Sequence, residues 1–357
     1  MKILMAMSGG IDSTVSAMLL LEQGYELVGV TFRTFDSIRE SCLAKEKGCC
    51  SIDSIMEAKH MAEKLGFEHH ILDFRDTFRQ HVIGNFVDEY MRGRTPNPCV
   101  LCNSSIKWGK LLDMADEFGC DKIATGHYAQ IVESDGHTYL ANAVDAHKDQ
   151  TYFLWMLTEA NLARTIFPLG GYTKLQVRQM AAERGYTKLA QKTESQEICF
   201  IPNNDYRTFL AQQVPNFGEK CKKGDFIDKN GQTVGMHEGF PNYTIGQRKG
   251  LKVAFGTPKY VTKIDAATNR VTLGDRDDLF SDTLTAAQCR FTDSEKLSIK
   301  PRVLARIRYK SPATPATVAI DSNRCTLRFD EPVWGITPGQ SLVLYQDGKV
   351  VGGGVIE

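Results

Sequence analysis

The sequence predicts an α/β protein with a parallel-sheet domain first, a small central domain next and a C-terminal β-barrel last. Apolar, strand-like runs alternate with helical periodicity through roughly the first 200 residues. Glycine and turn signals become dense after about residue 210, and short apolar runs separated by turns recur from Leu284 onward. We therefore place the domains at residues 1–205, 206–278 and 279–357.

A glycine turn joins the first predicted strand to the first predicted helix. Residues 2–7 form a short apolar run, as expected of a strand that is buried on both faces. Gly9 and Gly10 then permit backbone conformations that other residues rarely adopt. The apolar period becomes helical from Asp12 and stops at Gly24. The turn therefore presents helix amides and a partial positive charge, which is a favourable place for an anion.

The rest of the first domain continues the alternation, which favours a parallel sheet with helices on both faces. The predicted elements are a strand at 26–32, a helix at 54–65, a strand at 69–74, a helix at 106–118 and a strand at 122–125. Ligands of such sheets lie beyond the carboxyl ends of the strands. The loop at 8–13 and the stretch 126–128 both follow strands, so we expect them to face one pocket.

Short strands with turns between them are predicted for the later part of the chain, and they favour a small barrel. They lie at residues 260–264, 270–273, 303–309, 316–320, 325–329, 341–345 and 350–356.

Composition excludes several broad classes of protein. The net charge is zero, so any contact with nucleic acid must come from a local basic patch. No apolar stretch approaches the roughly 18 residues that a membrane span requires, and no signal-peptide pattern is present. Ten cysteines in such a chain indicate a reducing cytoplasm, where clustered cysteines are more often catalytic or metal-binding than structural.

The loop Ser8-Gly9-Gly10-Ile11-Asp12-Ser13 looks built for phosphate but contains no lysine. The common P-loop carries a lysine that reaches the outer phosphates. A loop that holds those phosphates as a leaving group needs only amides and hydroxyls, and Asp12 is a candidate Mg²⁺ ligand. The pattern resembles the loop of the ATP-pyrophosphatase superfamily, whose members cleave ATP between the α- and β-phosphates and transfer AMP to an acceptor. An ordinary tight turn is the alternative.

Three groups of cysteines stand out. Cys99 and Cys102 are spaced C-x-x-C, Cys199 lies in a predicted loop, and the third group is Cys42 with the adjacent pair at 49–50. A zinc site would need further ligands, such as Cys199 with His127, Cys49 or Cys50. Cys99, Cys102 and Cys199 with an open position would also suit an iron–sulfur cluster. A redox C-x-x-C is a third alternative.

A sulfur-transfer interpretation uses two of these thiols without a metal. A helix predicted to start near Ser104 or Ser105 would place Cys102 just before its N-terminus, where the pKa of a thiol falls. A persulfide on one cysteine can deliver sulfur to an adenylated carbonyl carbon while AMP leaves. The second cysteine can then attack the persulfide and leave a disulfide.

Eight ordered segments identify a family. They are "AMSGGIDS", "GRTPNPCVLCN", "TGHYA", "KDQTYFLW", "ESQEICFIP", "YTIGQRKGL", "RIRYKSP" and "ITPGQSLVLY" with "GGGVI". Together they resemble the bacterial tRNA-specific 2-thiouridylase family along nearly the whole chain. The resemblance implies ATP-dependent transfer of sulfur to carbon 2 of the wobble uridine of tRNA. It also implies a sulfur-donor protein, such as a cysteine desulfurase or a sulfur relay protein, as partner.

The resemblance also implies roles for individual residues. ATP would be held by Ala6, Met7, Ser8, Gly9, Gly10, Ile11, Asp12, Ser13, Phe32 and Gly126. Cys102 would be the nucleophile and Cys199 the persulfide carrier. The target base and the tRNA would be contacted by Asn97, Pro98, Cys99, Lys148, Asp149, Gln150, Arg308 and Tyr309. Two positions depart from the family: Phe32 stands in "VTFRTFD" where many members have "FMKNW", and Cys99 replaces an aspartate of some members.

A basic strand face adds to the RNA interpretation. Arg306, Arg308 and Lys310 would share one face of the strand at 303–309, which suits phosphate contacts. Charge alone fits a solvated barrel face equally well. If Tyr309 also contacts RNA, the strand must end or bulge there, because neighbouring side chains point to opposite faces.

Three further functions compete with persulfide-based sulfur transfer to tRNA. A small-molecule ligase of the same superfamily would explain the loop but would leave the cysteines and the basic strand unused. An iron–sulfur-dependent tRNA thiolase or a metal-sensing RNA-binding protein would use the cysteines as ligands. His127 is equally consistent with a general base and with a residue that positions the pocket, so we assign it no catalytic role.

Overall fold

The computed structural model describes residues 1–35, 52–192, 198–253 and 256–357. Two compact units divide the chain: unit 1 comprises Met1–Ile83, Pro98–Asn204 and Asp347–Val350, and unit 2 comprises Gly84–Asn97, Asp205–Gln346 and Val351–Glu357. The cysteines at 42, 49 and 50 lie outside the described residues, as does the predicted loop at 196–197.

The secondary structure of the described residues is numbered along the chain. The strands are β1 (Lys2–Ala6), β2 (Glu26–Arg33), β3 (Glu68–Asp73), β4 (Lys122–Ala124), β5 (Gln130–Ser134), β6 (His137–Ala141), β7 (Thr165–Ile166), β8 (Gly224–Ile227), β9 (Thr233–His237), β10 (Tyr260–Asp265), β11 (Arg270–Gly274), β12 (Phe280–Phe291), β13 (Arg302–Arg306), β14 (Thr314–Asp321), β15 (Arg324–Trp334), β16 (Ser341–Gln346) and β17 (Lys349–Ile356).

The helices are also numbered along the chain. The α-helices are α1 (Ile11–Glu22), α2 (Ile52–Leu65), α3 (Arg75–Phe78), α4 (Gly84–Met91), α5 (Pro98–Leu101), α6 (Trp108–Glu117), α7 (Glu159–Ala163), α8 (Lys174–Glu183), α9 (Thr187–Gln191), α10 (Tyr206–Gln213), α11 (Phe217–Lys220) and α12 (Ser294–Ile299). Two π-helical segments, Arg79–Ile83 and Cys102–Lys107, and short 3₁₀ turns at 151–153, 202–204, 240–242 and 277–279 complete the set. Within the described ranges, no helix combines the length and the apolar character needed to cross a membrane.

Unit 1 contains the predicted parallel sheet, in the order β3-β2-β1-β4-β7. The central residues of β1, Ile3 to Met5, have no exposed surface, which explains the continuous apolar run of this strand. The chain winds to one side of β1 through β2 and β3, and then to the other side through β4 and β7. The carboxyl ends of β1 and β4 therefore flank the point where the winding reverses, which is the usual ligand crevice of such sheets.

Helix α1 is buried on two faces. Ala17 and Leu20 pack in the cluster that includes the sheet residues Ile3 and Met5. Val15 and Leu19 join a second cluster with residues of α8. A helix that is buried on two sides has apolar residues around most of its circumference, as the sequence of α1 does. Leu20 has no exposed surface, so Leu20→Ala should cost about 2–5 kcal/mol of stability.

An antiparallel hairpin of β5 and β6 in unit 1 was not predicted. Asp135 and Gly136 connect its strands, and both have positive φ, 55° and 82°. These angles are those of a type I′ turn, for which Asp-Gly is a preferred pair. The turn signal was therefore present in the sequence, although the short strands around it were not recognised.

Unit 2 contains a four-stranded sheet in the order β10-β11-β8-β9 and a barrel in the order β12-β15-β14-β13-β16-β17. Pairing between β12 and β17 closes the barrel, as predicted. Burial alternates along β15, where Cys325, Leu327 and Phe329 are buried while the residues between them are exposed. The strand predicted at 303–309 ends at Arg306, so its predicted end is wrong. Arg308 and Lys310 lie beyond the strand and therefore do not share a strand face with Arg306, contrary to the prediction.

Candidate active site

The loop after β1 is held by its own backbone and hydroxyl groups. The Ser8 amide donates to Ser13 Oγ at 3.2 Å, and Ser13 Oγ donates to the Gly10 carbonyl at 3.1 Å. Gly9 has a φ of 69°, and a Cβ there would lie 2.3 Å from the carbonyl oxygen of Ser54. The loop thus needs glycine at this position, and its fixed shape presents the first turn of α1.

The carboxyl ends of β1 and β4 meet at this loop, as predicted. A Cβ on Gly126 would lie 2.8 Å from the Ser13 amide nitrogen, so the two backbones touch. The Tyr128 hydroxyl donates to Asp12 Oδ1 at 2.8 Å. The stretch 126–128 and the loop at 8–13 therefore form one site.

Lysine does reach this loop, but from a distant part of the chain. Lys174 Nζ lies 2.8 and 2.9 Å from the two carboxylate oxygens of Asp12. The lysine side chain is 9% exposed and that of Asp12 is 33% exposed. Thr173 caps α8 through reciprocal hydrogen bonds with Gln176, which fixes the position of Lys174 in the first turn. Sequence analysis missed Lys174, because no local motif marks it.

The other predicted ATP-binding residues lie around the same strand ends. Ala6 ends β1, and the buried Met7 donates its amide to the Val30 carbonyl at 2.8 Å. Phe32 lies near the end of β2, where its ring packs edge-to-face on Phe74 with centroids 5.2 Å apart.

The helix that carries Cys102 begins earlier than predicted. Helix α5 starts at Pro98 and continues into the π-helical segment Cys102–Lys107 and then α6. Proline is well suited to a first helical position, because its missing N–H has no partner there. The predicted start near 104–105 is therefore wrong. Cys102 lies beyond the first turn, where the helix dipole has little influence on a thiol.

Cys99 and Cys102 lie one helical turn apart on this helix. Cys99 is an exposed residue. Desolvation, assisted by the neighbouring Cys102, raises the pKa of Cys99 to about 11, although the charge of Lys107 opposes the shift. Cys99 is therefore protonated at neutral pH. Of the predicted base contacts beside it, Asn97 is half-buried and Pro98 is buried.

His127 lies between the loop at 8–13 and the helix that carries Cys99 and Cys102. Its Nε2 lies 3.3 Å from Lys107 Nζ, and its Nδ1 lies 2.7 Å from Thr125 Oγ1. Burial, assisted by the charge of Lys107, lowers the pKa of His127 well below its ordinary value. The imidazole is therefore neutral at pH 7. This arrangement favours a positioning role over a general base.

Cys199 is an exposed free thiol at a turn, as the predicted loop requires. The next residue, Phe200, is 1% exposed and packs against Phe78 and Phe35, with centroids 5.5 and 6.4 Å away. Phe78 belongs to α3, which contacts the π-helical segment 102–107. Phe200, the residue after Cys199, therefore packs on α3, and α3 in turn contacts the π-helical segment that begins with Cys102.

Among the residues that the structure describes, no group of three or more His, Cys, Asp or Glu side chains is placed to hold a metal ion.

Two of the predicted tRNA-contacting side chains in unit 1 make internal hydrogen bonds. Asp149 is 4% exposed and accepts from the Ala143 amide at 2.8 Å and from the Thr151 hydroxyl at 2.5 Å. Gln150 Oε1 accepts from the Tyr128 amide at 2.9 Å. These two side chains shape the loop that supports Tyr128. Lys148, which precedes them, is half-buried.

In unit 2, Arg308 is also engaged internally. Its Nη2 donates to the carbonyl oxygens of Gly335 and Ile245 at 2.7 and 3.3 Å. Its guanidinium lies 5.4 Å from the centroid of the Trp334 ring. The neighbouring Tyr309 is half-buried.

Comparisons with known proteins cover the whole chain. Residues 1–203 match a family model described as the tRNA methyl transferase HUP domain, residues 207–275 the tRNA methyl transferase PRC-barrel domain, and residues 281–356 the aminomethyltransferase beta-barrel domain. Three curated relatives are each named tRNA-specific 2-thiouridylase MnmA. That of Amoebophilus asiaticus is 46% identical over 100% of this chain and 95% of its own. That of Cytophaga hutchinsonii is 46% identical over 100% and 97%. That of Salinibacter ruber is 46% identical over 99% and 94%. The chain therefore belongs to the tRNA-specific 2-thiouridylase family.

Proposed function

We propose that this protein transfers sulfur to carbon 2 of the wobble uridine of tRNA, in an ATP-dependent reaction that forms 2-thiouridine. One observation carries the proposal: a single stretch, 125–128, contacts both the ATP loop and the cysteine-bearing helix. Tyr128 binds Asp12 of the loop, and His127 binds Lys107 at the end of the π-helical segment that starts with Cys102. An adenylated base and a sulfur-carrying thiol can therefore meet across this stretch.

The loop would bind ATP through its amides and through Lys174. When ATP enters, its phosphates compete with Asp12 for the Lys174 ammonium, and the carboxylate becomes available. Asp12 fits the oxygen ligand that Mg²⁺ prefers, since a third of its side chain is accessible. Bound Mg²⁺ would offset the charge of the pyrophosphate that leaves.

The sulfur step would use Cys199 and Cys102 in turn. The terminal sulfur of a Cys199 persulfide attacks carbon 2 of the adenylated uridine, and AMP leaves with the former base oxygen. The Cys102 thiolate then attacks Cys199 Sγ, and the bond to the delivered sulfur breaks. The products are 2-thiouridine and a Cys102–Cys199 disulfide. A thiol reductant returns two electrons and two protons, and a cysteine desulfurase or a sulfur relay protein supplies the next persulfide.

The nucleic-acid contacts remain part of the proposal. Residues 97–99 lie directly before Cys102 on the chain, which suits contact with the target base. Residues 148–150, together with Arg308 and Tyr309, would contact tRNA. The proposal divides the chain into a catalytic domain at 1–205, a small central domain at 206–278 and a tRNA-binding barrel at 279–357. We assign the reaction to the cytoplasm, because ten cysteines in this chain fit a reducing compartment.

Two measurements test the function. Transfer RNA from a strain lacking this protein should lack 2-thiouridine by mass spectrometry, and the wild-type chain but not Cys102→Ser should restore it. Purified protein should form AMP in a tRNA-dependent manner. Robust AMP formation with an amine acceptor and no RNA would instead identify a small-molecule ligase. Stoichiometric iron together with an active Cys199→Ser variant would identify a cluster-dependent thiolase.

A further inference from the structure

Residues 143–150, which follow β6 in unit 1, form a turn that is held by one carboxylate. Asp145 Oδ1 accepts from the amides of His147 and Lys148 at 3.0 and 3.3 Å. The Lys148 amide also donates to the Asp145 carbonyl at 3.0 Å. Val144 and His147 are exposed, so the order of this turn depends more on its hydrogen bonds than on burial.

Asp145 also binds the start of helix α8. Its Oδ2 accepts from the amide of Lys174, 29 residues later, at 2.9 Å. The first amides of a helix have no partner within the helix, and this carboxylate supplies a partner for one of them. The Val144 amide donates to the Gly170 carbonyl at 2.9 Å, which is a second link between the turn and the approach to α8. One carboxylate therefore holds both the turn and the backbone of Lys174.

The 143–150 turn reaches Asp12 of the loop at 8–13 by two routes. In the first, Asp145 holds the backbone of Lys174, whose ammonium lies 2.8 Å from Asp12 Oδ1. In the second, Gln150 Oε1 accepts from the Tyr128 amide at 2.9 Å, and the Tyr128 hydroxyl donates to Asp12 Oδ1 at 2.8 Å. The first route is the one that ends on a cation, and hence on a group that can bind phosphate.

We propose that Asp145 is a positioning residue that couples tRNA binding to ATP binding, because it joins the 143–150 turn to the backbone of Lys174. The inference rests on the proposed function, in which residues 148–150 contact tRNA and the Lys174 ammonium binds the phosphates of ATP. Transfer RNA on this stretch would hold the turn in place, and ATP would then bind to a lysine whose backbone is already ordered. The coupling is reciprocal, so ATP would favour tRNA binding by the same factor.

The hydrogen bonds within α8 do not provide this link. Thr173 and Gln176 fix the first turn of the helix through a reciprocal pair of hydrogen bonds, but both belong to the helix or its cap. Asp145 belongs to a separate segment. Its replacement should therefore leave α8 formed and remove the connection between Lys174 and the turn.

The test is the equilibrium binding of α,β-methylene-ATP, in which the bond between the α- and β-phosphates cannot be cleaved, to the full-length protein in a buffer with Mg²⁺. Titrations are made without tRNA and with saturating total tRNA from a strain lacking this protein. For wild type, tRNA should lower the Kd of the analogue about fivefold or more. An asparagine amide has one acceptor oxygen and cannot keep both sides of the link. The ratio of the two Kd values in Asp145→Asn should therefore fall to less than half of the wild-type ratio.

Asp265 offers a matched control. Its Oδ1 accepts from the amides of Ala267 and Thr268 at 3.0 and 3.1 Å, which are two and three residues later, as in the turn at Asp145. Asp265→Asn should keep the wild-type ratio. The reverse titration, of tRNA with and without the analogue, should give the same factor as the forward titration in each protein.

A second variant keeps the proposal testable if Asp145→Asn does not fold. Lys174→Met removes the other end of the link, so tRNA should tighten the residual binding of the analogue by less than half of the wild-type factor. A wild-type ratio near one, or an unchanged ratio in a folded Asp145→Asn or Lys174→Met protein, would overturn the proposal. Because the assay involves no sulfur transfer, that result would leave the proposed function standing, which instead fails if tRNA from the strain lacking this protein still contains 2-thiouridine.

Discussion

The Lys174 ammonium lies 2.8 and 2.9 Å from the two carboxylate oxygens of Asp12, a residue 162 positions earlier in the chain. The loop at 8–13 contains no lysine of its own, but Lys174 from the first turn of α8 contacts it through Asp12. An ammonium already paired at the loop can transfer to an incoming anion without being desolvated again, because its side chain is largely buried. In the proposed function, the pair would supply both a cation and a carboxylate to ATP.

Asp12→Ala should abolish tRNA-dependent AMP formation while tRNA binding stays within about twofold of wild type. The substitution removes the proposed Mg²⁺ ligand and leaves the Lys174 ammonium without its partner, and both effects are local to the loop. Pyrophosphate release and filter binding measure the two properties separately. Normal AMP formation by Asp12→Ala would exclude this role.

Lys174→Met should raise the KM for ATP and reduce adenylation at least tenfold, because a charge-assisted contact to phosphate is lost. Lys188, on the exposed surface of α9, is a matched control, and Lys188→Met should behave as wild type. Steady-state kinetics with ATP as the varied substrate separates the variants. Equal KM values for the two lysine variants would limit Lys174 to a structural role.

The Cys199→Ser and Cys102→Ser variants should each block a different step of sulfur transfer. After incubation with a cysteine desulfurase and radiolabelled cysteine, Cys199 should carry label that a reductant releases. Cys199→Ser should lose the label and thiolation but still adenylate tRNA. Cys102→Ser should keep the label and stall transfer, since no thiol remains to release the sulfur. Full thiolation by Cys199→Ser would contradict the persulfide scheme.

Arg308→Ala should lower the free energy of unfolding by about 2 kcal/mol, because two backbone carbonyls lose a charged donor. If Arg308 also contacts a phosphate, the salt dependence of tRNA binding should fall by about one unit. Lys310, exposed two residues later, is the control, and Lys310→Ala should leave stability unchanged. Reduced stability with an unchanged salt slope would mean that Arg308 serves the fold alone.

Acid stability should depend on His69. Burial, with smaller contributions from His70 and Lys59, lowers the pKa of His69 to about 4. Because Thr31 Oγ1 uses its proton on the Met7 carbonyl at 2.8 Å, His69 Nε2 donates to that hydroxyl at 2.9 Å. The unfolded chain, with a histidine pKa near 6.5, binds more protons between pH 6.5 and 4. Stability is therefore complete above pH 6.5 and declines as the pH falls toward 4.

His69→Gln should reduce this decline by roughly 1–2 kcal/mol, after allowance for partial exposure of the ring. The glutamine amide can still donate to Thr31. Denaturant unfolding at a series of pH values measures the effect, with His147→Gln on an exposed turn as the control. The same decline in His69→Gln and in wild type would show that other groups dominate acid unfolding.

Local patterns were sufficient to predict the parallel sheet, the glycine loop, the barrel and the family. Each depends on residues close together in sequence, such as the apolar run of β1 or the alternation along β15. Gly126 and Tyr128 were correctly expected at the loop, because parallel strands end at a common edge.

Contacts between distant segments were missed. Nothing near Lys174 indicates that its ammonium reaches Asp12, and nothing near Arg308 predicts the carbonyls that it binds. The start of the cysteine-bearing helix was misplaced for a different reason. Prolines at 96 and 98 were interpreted as an extended approach, whereas Pro98 occupies a first helical position in which its fixed φ is favourable.

Residues 84–97 belong to unit 2, whereas the residues on either side of them belong to unit 1. This arrangement limits where the chain can be cut into fragments. Tyr90 stacks on Tyr206 at 4.7 Å, and Arg94 Nη2 donates to the Ile356 carbonyl at 3.0 Å, both within unit 2. A fragment ending at residue 205 would keep this segment but lose those partners, and its apolar side chains would be exposed and prone to aggregate. During synthesis the segment must likewise wait for Ile356 to emerge, so unit 2 completes its folding only after that residue has left the ribosome.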